Sequence, residues 1–263
     1  MKNRREFTSK NTICVHSGEL PGPHPGINTP IFTSTAFGYL DTEERLYPRY
    51  FNIPNQKVVT DKIAALENAE SGLLFGSGMA AVSSVLLSFL NSGDHCLFQN
   101  GLYGGTLHFI TSEFERFGIE YTVLKDNSAA SFESAVRSNT KVIYIESPSN
   151  PLLSIIDLEK ISELARRKHC LTVIDNTFAS PVNQNPINHG IDIVIHSATK
   201  YLGGHSDICA GVVLSTRPLI ERIIHTSISL GGSLNALMCY LLERSIKTLA
   251  IRVERQNQSS RES

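Results

Sequence analysis

The residues that could do chemistry centre on one lysine, Lys200, which follows a largely apolar run at residues 191–195. Hydroxyl side chains at Ser197 and Thr199 precede the lysine, and glycines follow it closely. The apolar run is typical of a strand that is buried on both faces. The carboxyl end of such a strand is where an open α/β sheet places its ligand site. An amine held there predicts a covalent reaction with a carbonyl group.

Polar or glycine-rich segments also follow other predicted strands. Asp175 comes directly after an apolar run, although an N-cap or a loop salt bridge would also explain an acid there. The turn at residues 76–79 joins a predicted strand to a long apolar helix, a geometry that offers free backbone N–H groups to a phosphate. Tyr103 lies in a glycine-rich turn, where stacking on a planar ligand and ordinary packing are equally compatible with the pattern. Asn150 lies in a loop that two prolines fix.

Pyridoxal 5'-phosphate (PLP) would use each of these groups. Its aldehyde reacts with a lysine amine, and its pyridine nitrogen stays protonated beside a buried carboxylate. Its phosphate binds backbone N–H groups and hydroxyls, and its ring packs on an aromatic face. The combined pattern therefore predicts a PLP site around Lys200.

Other catalytic and metal-binding motifs are incomplete. Residues 197–200 match the S-x-x-K string of serine β-lactamases and penicillin-binding proteins, but no S-D-N or K-T-G accompanies them. The chain has no G-x-x-x-x-G-K-[ST] and no G-x-G-x-x-G, so neither a P-loop nor a Rossmann dinucleotide site is predicted. Its nine histidines form no H-E-x-x-H and its five cysteines form no C-x-x-C, so we expect no metal site.

Strand and helix patterns alternate along the chain, which indicates an α/β fold with a largely parallel sheet. The loops that carry the candidate residues would then share one edge of the sheet. The turn-rich residues 1–45 predict an extended N-terminal arm that must lie on another surface to be ordered. Residues 46–233 form the predicted ligand-binding domain, and residues 234–263 have the apolar spacing of a helix.

The charge balance limits the class of partner. The 263 residues include 24 Lys and Arg against 25 Asp and Glu, a net charge of −1, which argues against a nucleic-acid footprint or a membrane-surface patch. The cysteines are far apart and mostly inside apolar runs, as expected for reduced thiols of a cytoplasmic protein. The basic start has no apolar segment behind it, and no run is long enough to span a bilayer, so we expect neither a secretory signal nor a membrane span.

The sequence resembles the Cys/Met-metabolism family of PLP enzymes, which includes cystathionine γ-synthase, cystathionine β- and γ-lyases and methionine γ-lyase. The resemblance runs from about residue 11 to the last residues and is most specific at 175–178 (DNTF) and 196–207 (HSATKYLGGHSD). Residues 146–151 (ESPSNP) and 103–106 (YGGT) match as well. The resemblance implies fold type I of the PLP-dependent transferases, with a mostly parallel seven-stranded sheet flanked by helices and a small C-terminal domain.

The resemblance also implies a role for each matching residue. Lys200 would hold PLP covalently and then move protons, Tyr103 would stack on the ring and assist that transfer, and Asp175 would pair with the pyridine nitrogen. Further contacts to the cofactor would come from Gly78, Met79, Ser197 and Thr199 at the phosphate, and from Asn150 near the ring hydroxyl.

Tyr47 and Arg49 match the family's Tyr-x-Arg, which reaches the phosphate of a neighbouring subunit. The resemblance therefore implies a homotetramer, a dimer of dimers whose sites lie between paired chains. The N-terminal arm would contribute to those contacts.

The implied activity is β- or γ-elimination by a carbon–sulfur lyase that acts on cystathionine or related sulfur amino acids in trans-sulfuration. A cystathionine γ-synthase, which carries out γ-replacement on an acylated homoserine, uses the same residues and stays open as an alternative. Gly105 stands where methionine γ-lyases usually carry cysteine, which argues against that activity. Residues 50–55 (YFNIPN) replace the family's Gly-Asn-Pro-Thr and leave the substrate fit open.

Family chains extend well beyond the length of this one, into the domain that carries the arginine for the substrate carboxylate. We therefore expect a C-terminally truncated chain, in which residues 234–263 lead toward a small domain that is missing. Such a chain could bind PLP or a full-length partner and yet turn nothing over, which is a third hypothesis.

Overall fold

The computed structural model describes residues 7–20, 26–40 and 43–262 of the chain. The proline- and glycine-rich residues 21–25 of the predicted arm lie outside that description. The helices are α1 (Lys10–His16), α2 (Pro54–Glu67), α3 (Gly78–Phe89), α4 (Gly104–Glu113), α5 (Ala129–Ala135), α6 (Leu158–Lys168), α7 (Ser180–Asn183), α8 (Arg217–Leu230), α9 (Ala236–Ile246) and α10 (Leu249–Glu262). The strands are β1 (Ser71–Phe75), β2 (His95–Phe98), β3 (Glu120–Val123), β4 (Thr140–Glu146), β5 (Leu171–Asp175), β6 (Ile193–His196) and β7 (Gly211–Ser215).

The strands form one seven-stranded sheet in the order β1-β7-β6-β5-β4-β2-β3. β7 runs antiparallel to both of its neighbours, and the other pairs are parallel. The prediction of a mostly parallel seven-stranded sheet flanked by helices is therefore confirmed. The central strands are nearly continuous apolar runs because helices cover both of their faces.

Two hydrophobic clusters cover the two faces of the sheet. One contains buried side chains of α2, α6, α9 and α10, and the other contains those of α3, α4 and α8. Successive residues of β6 alternate between the clusters, since Val194 belongs to the first and its neighbours Ile193 and Ile195 belong to the second. The sheet is thus held between two helical layers, and its carboxyl edge stays open for the site.

The apolar pattern over residues 234–255 predicts one helix, but the structure forms two. At the break the Thr248 N–H donates to the Ser245 carbonyl at 3.2 Å. α9 packs against α2, whereas α10 packs against α1 and α7. Arg252 of α10 donates to the Tyr201 carbonyl at 2.8 Å, in the loop that follows β6.

The division of the chain at residues 45 and 233 stays a prediction. Residues of α9 share a hydrophobic cluster with α2 and the sheet, so this helix packs as part of the same body. Among the helices that the structure describes, none is long and apolar enough to cross a membrane.

Candidate active site

A cleft of about 1040 Å³ opens at the carboxyl edge of the parallel strands. The segments that follow β1, β2, β4, β5 and β6 contribute to its walls, because the carboxyl ends of parallel strands meet at one edge of a sheet. The residues predicted from the sequence that line the cleft are Lys200, Asp175, Gly78, Met79, Ser197, Thr199, Tyr103 and Asn150. The structure therefore brings these residues together, while their roles toward a cofactor stay predictions.

The N-terminus of α3 forms the part of the cleft that suits an anion. The Ser77 hydroxyl caps this helix by accepting the Ala80 N–H at 3.0 Å. The N–H groups of Gly78 and Met79 lie in the first turn, so they have no acceptor within the helix and carry the positive end of its dipole. A Cβ on Gly78 would lie 2.8 Å from the Ser197 Cβ. The glycine therefore allows this turn to lie directly against the residue that follows β6.

The loop between β6 and β7 carries Lys200, whose side chain is exposed in the cleft. Two hydrogen bonds hold this loop: the Ser197 N–H donates to the Thr177 hydroxyl at 2.7 Å, and the Ala210 N–H donates to the Thr199 hydroxyl at 3.0 Å. The Lys200 N–H donates to the Ser197 carbonyl at 3.1 Å. The S-x-x-K string therefore forms a turn after a strand, which keeps the amine at the edge of the sheet.

Arg252 of α10 also lines the cleft, and the sequence reasoning missed it. Its guanidinium donates to the carbonyls of Tyr201 at 2.8 Å and Ser245 at 3.0 Å. A Cβ on Gly204 would lie 2.2 Å from Arg252 Nη1, so the guanidinium approaches this backbone closely, and the φ of +70° at Gly204 favours glycine. Arg252 thus holds the backbone of the lysine loop against α10. A basic residue on a helix gives no signal in the sequence of what it will reach.

Asp175 ends β5 and turns its side chain into the cleft. Its Oδ1 accepts the Thr177 N–H at 2.9 Å. Burial raises the pKa of the Asp175 carboxyl above its usual range, while hydrogen bonds from Thr177 and the nearby His196 oppose that rise. A cationic ring nitrogen beside Asp175 would also favour the ionised form, so this carboxyl group suits such a partner.

Tyr103 follows β2, and its side chain is 45% exposed beside the cleft. Both side-chain oxygens of Glu146 lie within hydrogen-bond distance of the Tyr103 backbone N–H, at 2.9 and 3.0 Å. A Cβ on Gly105 would lie 2.6 Å from the Tyr103 Cε1 and 3.1 Å from the Met79 Sδ, so the glycine allows the ring to lie close to both helix starts. Asn150 is exposed in the loop after β4. Glu146, which ends β4, belongs to the matching segment 146–151 but is not among the site residues that the sequence predicts.

A fully buried carboxylate, Glu67 of α2, lies behind the cleft. It accepts hydrogen bonds from the amides of Asn176 at 2.8 Å and Asn185 at 3.0 Å, and its Oε1 lies 2.6 Å from His196 Nε2. Asn176 follows β5 and His196 ends β6, so Glu67 links the two strand ends that carry the carboxylate and the lysine loop. No sequence pattern indicates this network, because its members are far apart in the chain.

Tyr47 and Arg49 lie at the short 3-10 helix Pro48–Tyr50, and neither is among the described residues that line the cleft. The Arg49 guanidinium lies 5.6 Å from the Tyr47 ring centroid and 5.4 Å from that of Tyr50. Its Nη1 donates to the Ile228 carbonyl at 2.6 Å. The structure of one chain therefore does not bring these two residues to the other predicted ones, and their contact with a neighbouring subunit stays a prediction.

The donor set of the cleft fits PLP. A helix N-terminus beside hydroxyl groups suits a phosphate, and the N–H groups of Gly78 and Met79 with Ser197 would hold it. Lys200 supplies an amine, Asp175 supplies a carboxylate, and the two belong to neighbouring strand ends. When bound, PLP supplies an aldehyde and an electron-accepting ring. Within residues 7–20, 26–40 and 43–262, no cluster of three metal-ligating side chains accompanies these groups.

The sheet order and the cleft define a PLP-dependent enzyme of fold type I. The chain belongs to the Cys/Met metabolism PLP-dependent enzyme family, whose sequence model matches residues 11–262. This confirms the resemblance that the motifs indicate, and PLP as the cofactor of the family.

The relatives include a cystathionine lyase and a cystathionine synthase. The chain is 40% identical over 257 residues to a cystathionine gamma-lyase of Bacillus subtilis, a match that covers 96% of this chain and 67% of the relative. It is 36% identical over 269 residues to chloroplastic cystathionine gamma-synthase 1 of Arabidopsis thaliana, covering 97% of this chain and 48% of the relative. A Campylobacter jejuni structure solved with N'-pyridoxyl-lysine-5'-monophosphate superposes with a TM-score of 0.92 at 27% identity, covering 97% of this chain and 74% of that one. The chain thus spans about half to three quarters of the length of these relatives.

Proposed function

We propose that this chain forms the PLP-binding part of a carbon–sulfur lyase that eliminates the β- or γ-substituent of cystathionine or a related sulfur amino acid. The observation that carries the proposal is the meeting of Lys200, Asp175 and the α3 N-terminus in one cleft. The similarity to a cystathionine gamma-lyase supports the substrate class.

The residues of this chain would divide the work by their chemistry. The Lys200 amine is exposed in the cleft, where it can hold the cofactor and, once released, take a proton from the substrate's α-carbon. Asp175 would stabilise positive charge on the ring nitrogen, and Ser197 with the first turn of α3 would hold the phosphate. Tyr103 would cover the ring face and exclude water from it.

A homotetramer with shared sites would place Tyr47 and Arg49 at a neighbouring subunit's cofactor. Exposed apolar side chains in the N-terminal region support a surface that a second copy covers, since Ile27 is 85% exposed, Tyr39 69% and Leu40 83%. Cross-linking or light scattering would show the assembly, and a monomer at all concentrations would contradict it.

The test of the proposed function is a PLP titration of the wild type, Lys200→Ala and the exposed-lysine control Lys57→Ala. We expect a visible absorption band in the wild type and the control, and covalent labelling at Lys200 after borohydride reduction. Lys200→Ala should show neither. No band in the wild type, or labelling on another lysine, would contradict the PLP site.

Product analysis separates the lyase from the synthase, which the similarity to cystathionine gamma-synthase 1 keeps as the second candidate. Elimination yields a thiol, an oxo acid and ammonia, whereas γ-replacement on an acylated homoserine yields cystathionine. Retained PLP without either set of products would favour the third hypothesis, a chain that binds the cofactor and does not turn over.

A further inference from the structure

Glu146 is placed beside the carboxylate of the proposed cofactor site. It ends β4, and Asp175 ends β5, and the two residues are partners in the parallel register of these strands. Register partners on adjacent strands point to the same face, and both residues line the cleft. The site therefore contains two neighbouring carboxyl groups, of which only Asp175 has a role in the proposed function.

Glu146 also fixes the turn that carries the aromatic residue. Its two side-chain oxygens accept the Tyr103 N–H at 2.9 and 3.0 Å, and its own N–H donates to Gln99 Oε1 at 2.7 Å. The side chain is only 4% exposed, so water does not compete for these contacts. The position of Tyr103 against the end of β4 thus depends on Glu146.

Unpaired polar atoms surround the same group. Within the part of the chain that the structure describes, the buried side-chain atoms without a partner are Gln99 Nε2, Thr106 Oγ1 and the Tyr144 hydroxyl. They lie at the end of β2, in α4 and in β4, which are the elements around Glu146. Such atoms are uncommon in native proteins and find partners in neighbouring polar groups or water. Of the three, the Tyr144 hydroxyl lies near both carboxyl groups of the cleft.

Two desolvated carboxyl groups side by side do not both ionise readily, because each charge disfavours the other. Burial and the charge of Asp175 raise the pKa of Glu146 to about 8, against the Tyr103 hydrogen bond. Burial also raises the pKa of Asp175, while the hydrogen bonds of Thr177 and the charge of His196 oppose that rise. Burial raises the pKa of the Tyr144 hydroxyl well above its usual range, so this third titratable group stays neutral.

We propose that Glu146 is a positioning residue, which binds the Tyr103 N–H and keeps the single proton of the Glu146–Asp175 pair so that Asp175 remains a carboxylate. This inference rests on the proposed function, because it assigns Asp175 to the ring nitrogen of PLP. A neutral Glu146 supports the turn of Tyr103 and adds no second negative charge beside Asp175.

The first test uses Glu146→Gln, Glu146→Leu and the exposed control Glu163→Gln in the full chain. Glutamine keeps the shape and the acceptor and is permanently neutral, whereas leucine removes the acceptor. In a PLP titration near neutral pH we expect Glu146→Gln and Glu163→Gln to bind within about threefold of the wild type, and Glu146→Leu at least about tenfold more weakly. Binding of Glu146→Gln as weak as that of Glu146→Leu, or wild-type binding by both, would overturn the proposal.

The second test identifies the protonated carboxyl group in the absence of any cofactor. The infrared spectrum of the wild type and of Glu163→Gln should contain a carboxylic-acid C=O stretch at about pH 6.5 that disappears toward about pH 9.5. Glu146→Gln should lack that pH-dependent signal. A wild type without the signal, or a signal that persists in Glu146→Gln, would overturn the proton placement. A failure of the proposed function appears separately, as a wild type that shows no visible band with PLP.

Discussion

Gly78→Ala is expected to damage the proposed phosphate site through one added methyl group. The new Cβ would lie 2.8 Å from the Ser197 Cβ and 3.1 Å from the Ser197 Cα. The first distance is about 0.6 Å shorter than the 3.4 Å at which ordinary contacts begin, and the second involves a backbone atom that no rotamer change can move. The turn before α3 or the segment after β6 must therefore shift.

Such overpacking in an ordered region costs roughly 1–3 kcal/mol. We expect the free energy of unfolding, measured in urea, to fall by about that amount. Because the shift moves the Gly78 and Met79 N–H groups away from Ser197, the dissociation constant for PLP should also rise about tenfold, which corresponds to about 1.4 kcal/mol.

Gly76→Ala provides a matched control in the same turn. Its Cβ would find its nearest neighbour, the Gly232 carbonyl oxygen, at an ordinary 3.6 Å. We expect its stability to change by less than about 0.5 kcal/mol and its PLP binding to be unchanged. Equal effects of the two variants, or a Gly78→Ala chain that binds and unfolds like the wild type, would refute the argument from the close approach.

Three further predictions concern other buried groups. Burial lowers the pKa of His95 to about 4 from 6.5, so between those pH values only the unfolded chain takes up this proton, and stability is lost as the pH falls through that window. We therefore expect the free energy of unfolding in urea to be lower at about pH 5 than at about pH 7.5. The pKa difference corresponds to a loss of up to about 2 kcal/mol, which screening by solvent reduces to about 1 kcal/mol. His95→Gln should lack this loss, and the exposed control His108→Gln should keep it. Glu67→Ala should lower the free energy of unfolding by about 3 kcal/mol, because three polar partners lose their acceptor. The exposed control is Glu163→Ala. A loss no larger than that of the control would contradict a stabilising role of the Glu67 network. Asp175→Asn should still bind PLP covalently but slow elimination about a hundredfold, since an amide cannot stabilise a cationic nitrogen, and unchanged turnover would contradict this role.

The sequence by itself determined the class of fold and most of the residues in the cleft. Alternating apolar runs and amphipathic segments predict a parallel sheet between helices, because burial on one or two faces leaves a regular spacing in the chain. Lys200, Asp175 and the 76–79 turn were recognisable because each interrupts an apolar pattern at a strand end. The structure confirms the fold and places these residues in one cleft.

Only the tertiary structure decided what holds those residues in place. Glu67 and Arg252 contact the strand ends and the lysine loop from helices more than 50 residues away in the chain, and such contacts leave no periodic signal. The single predicted helix after residue 234 divides into α9 and α10 because its two halves pack on different surfaces. The pairing of Glu146 with Asp175 depends on the strand order and register, which the apolar patterns of separate strands do not specify.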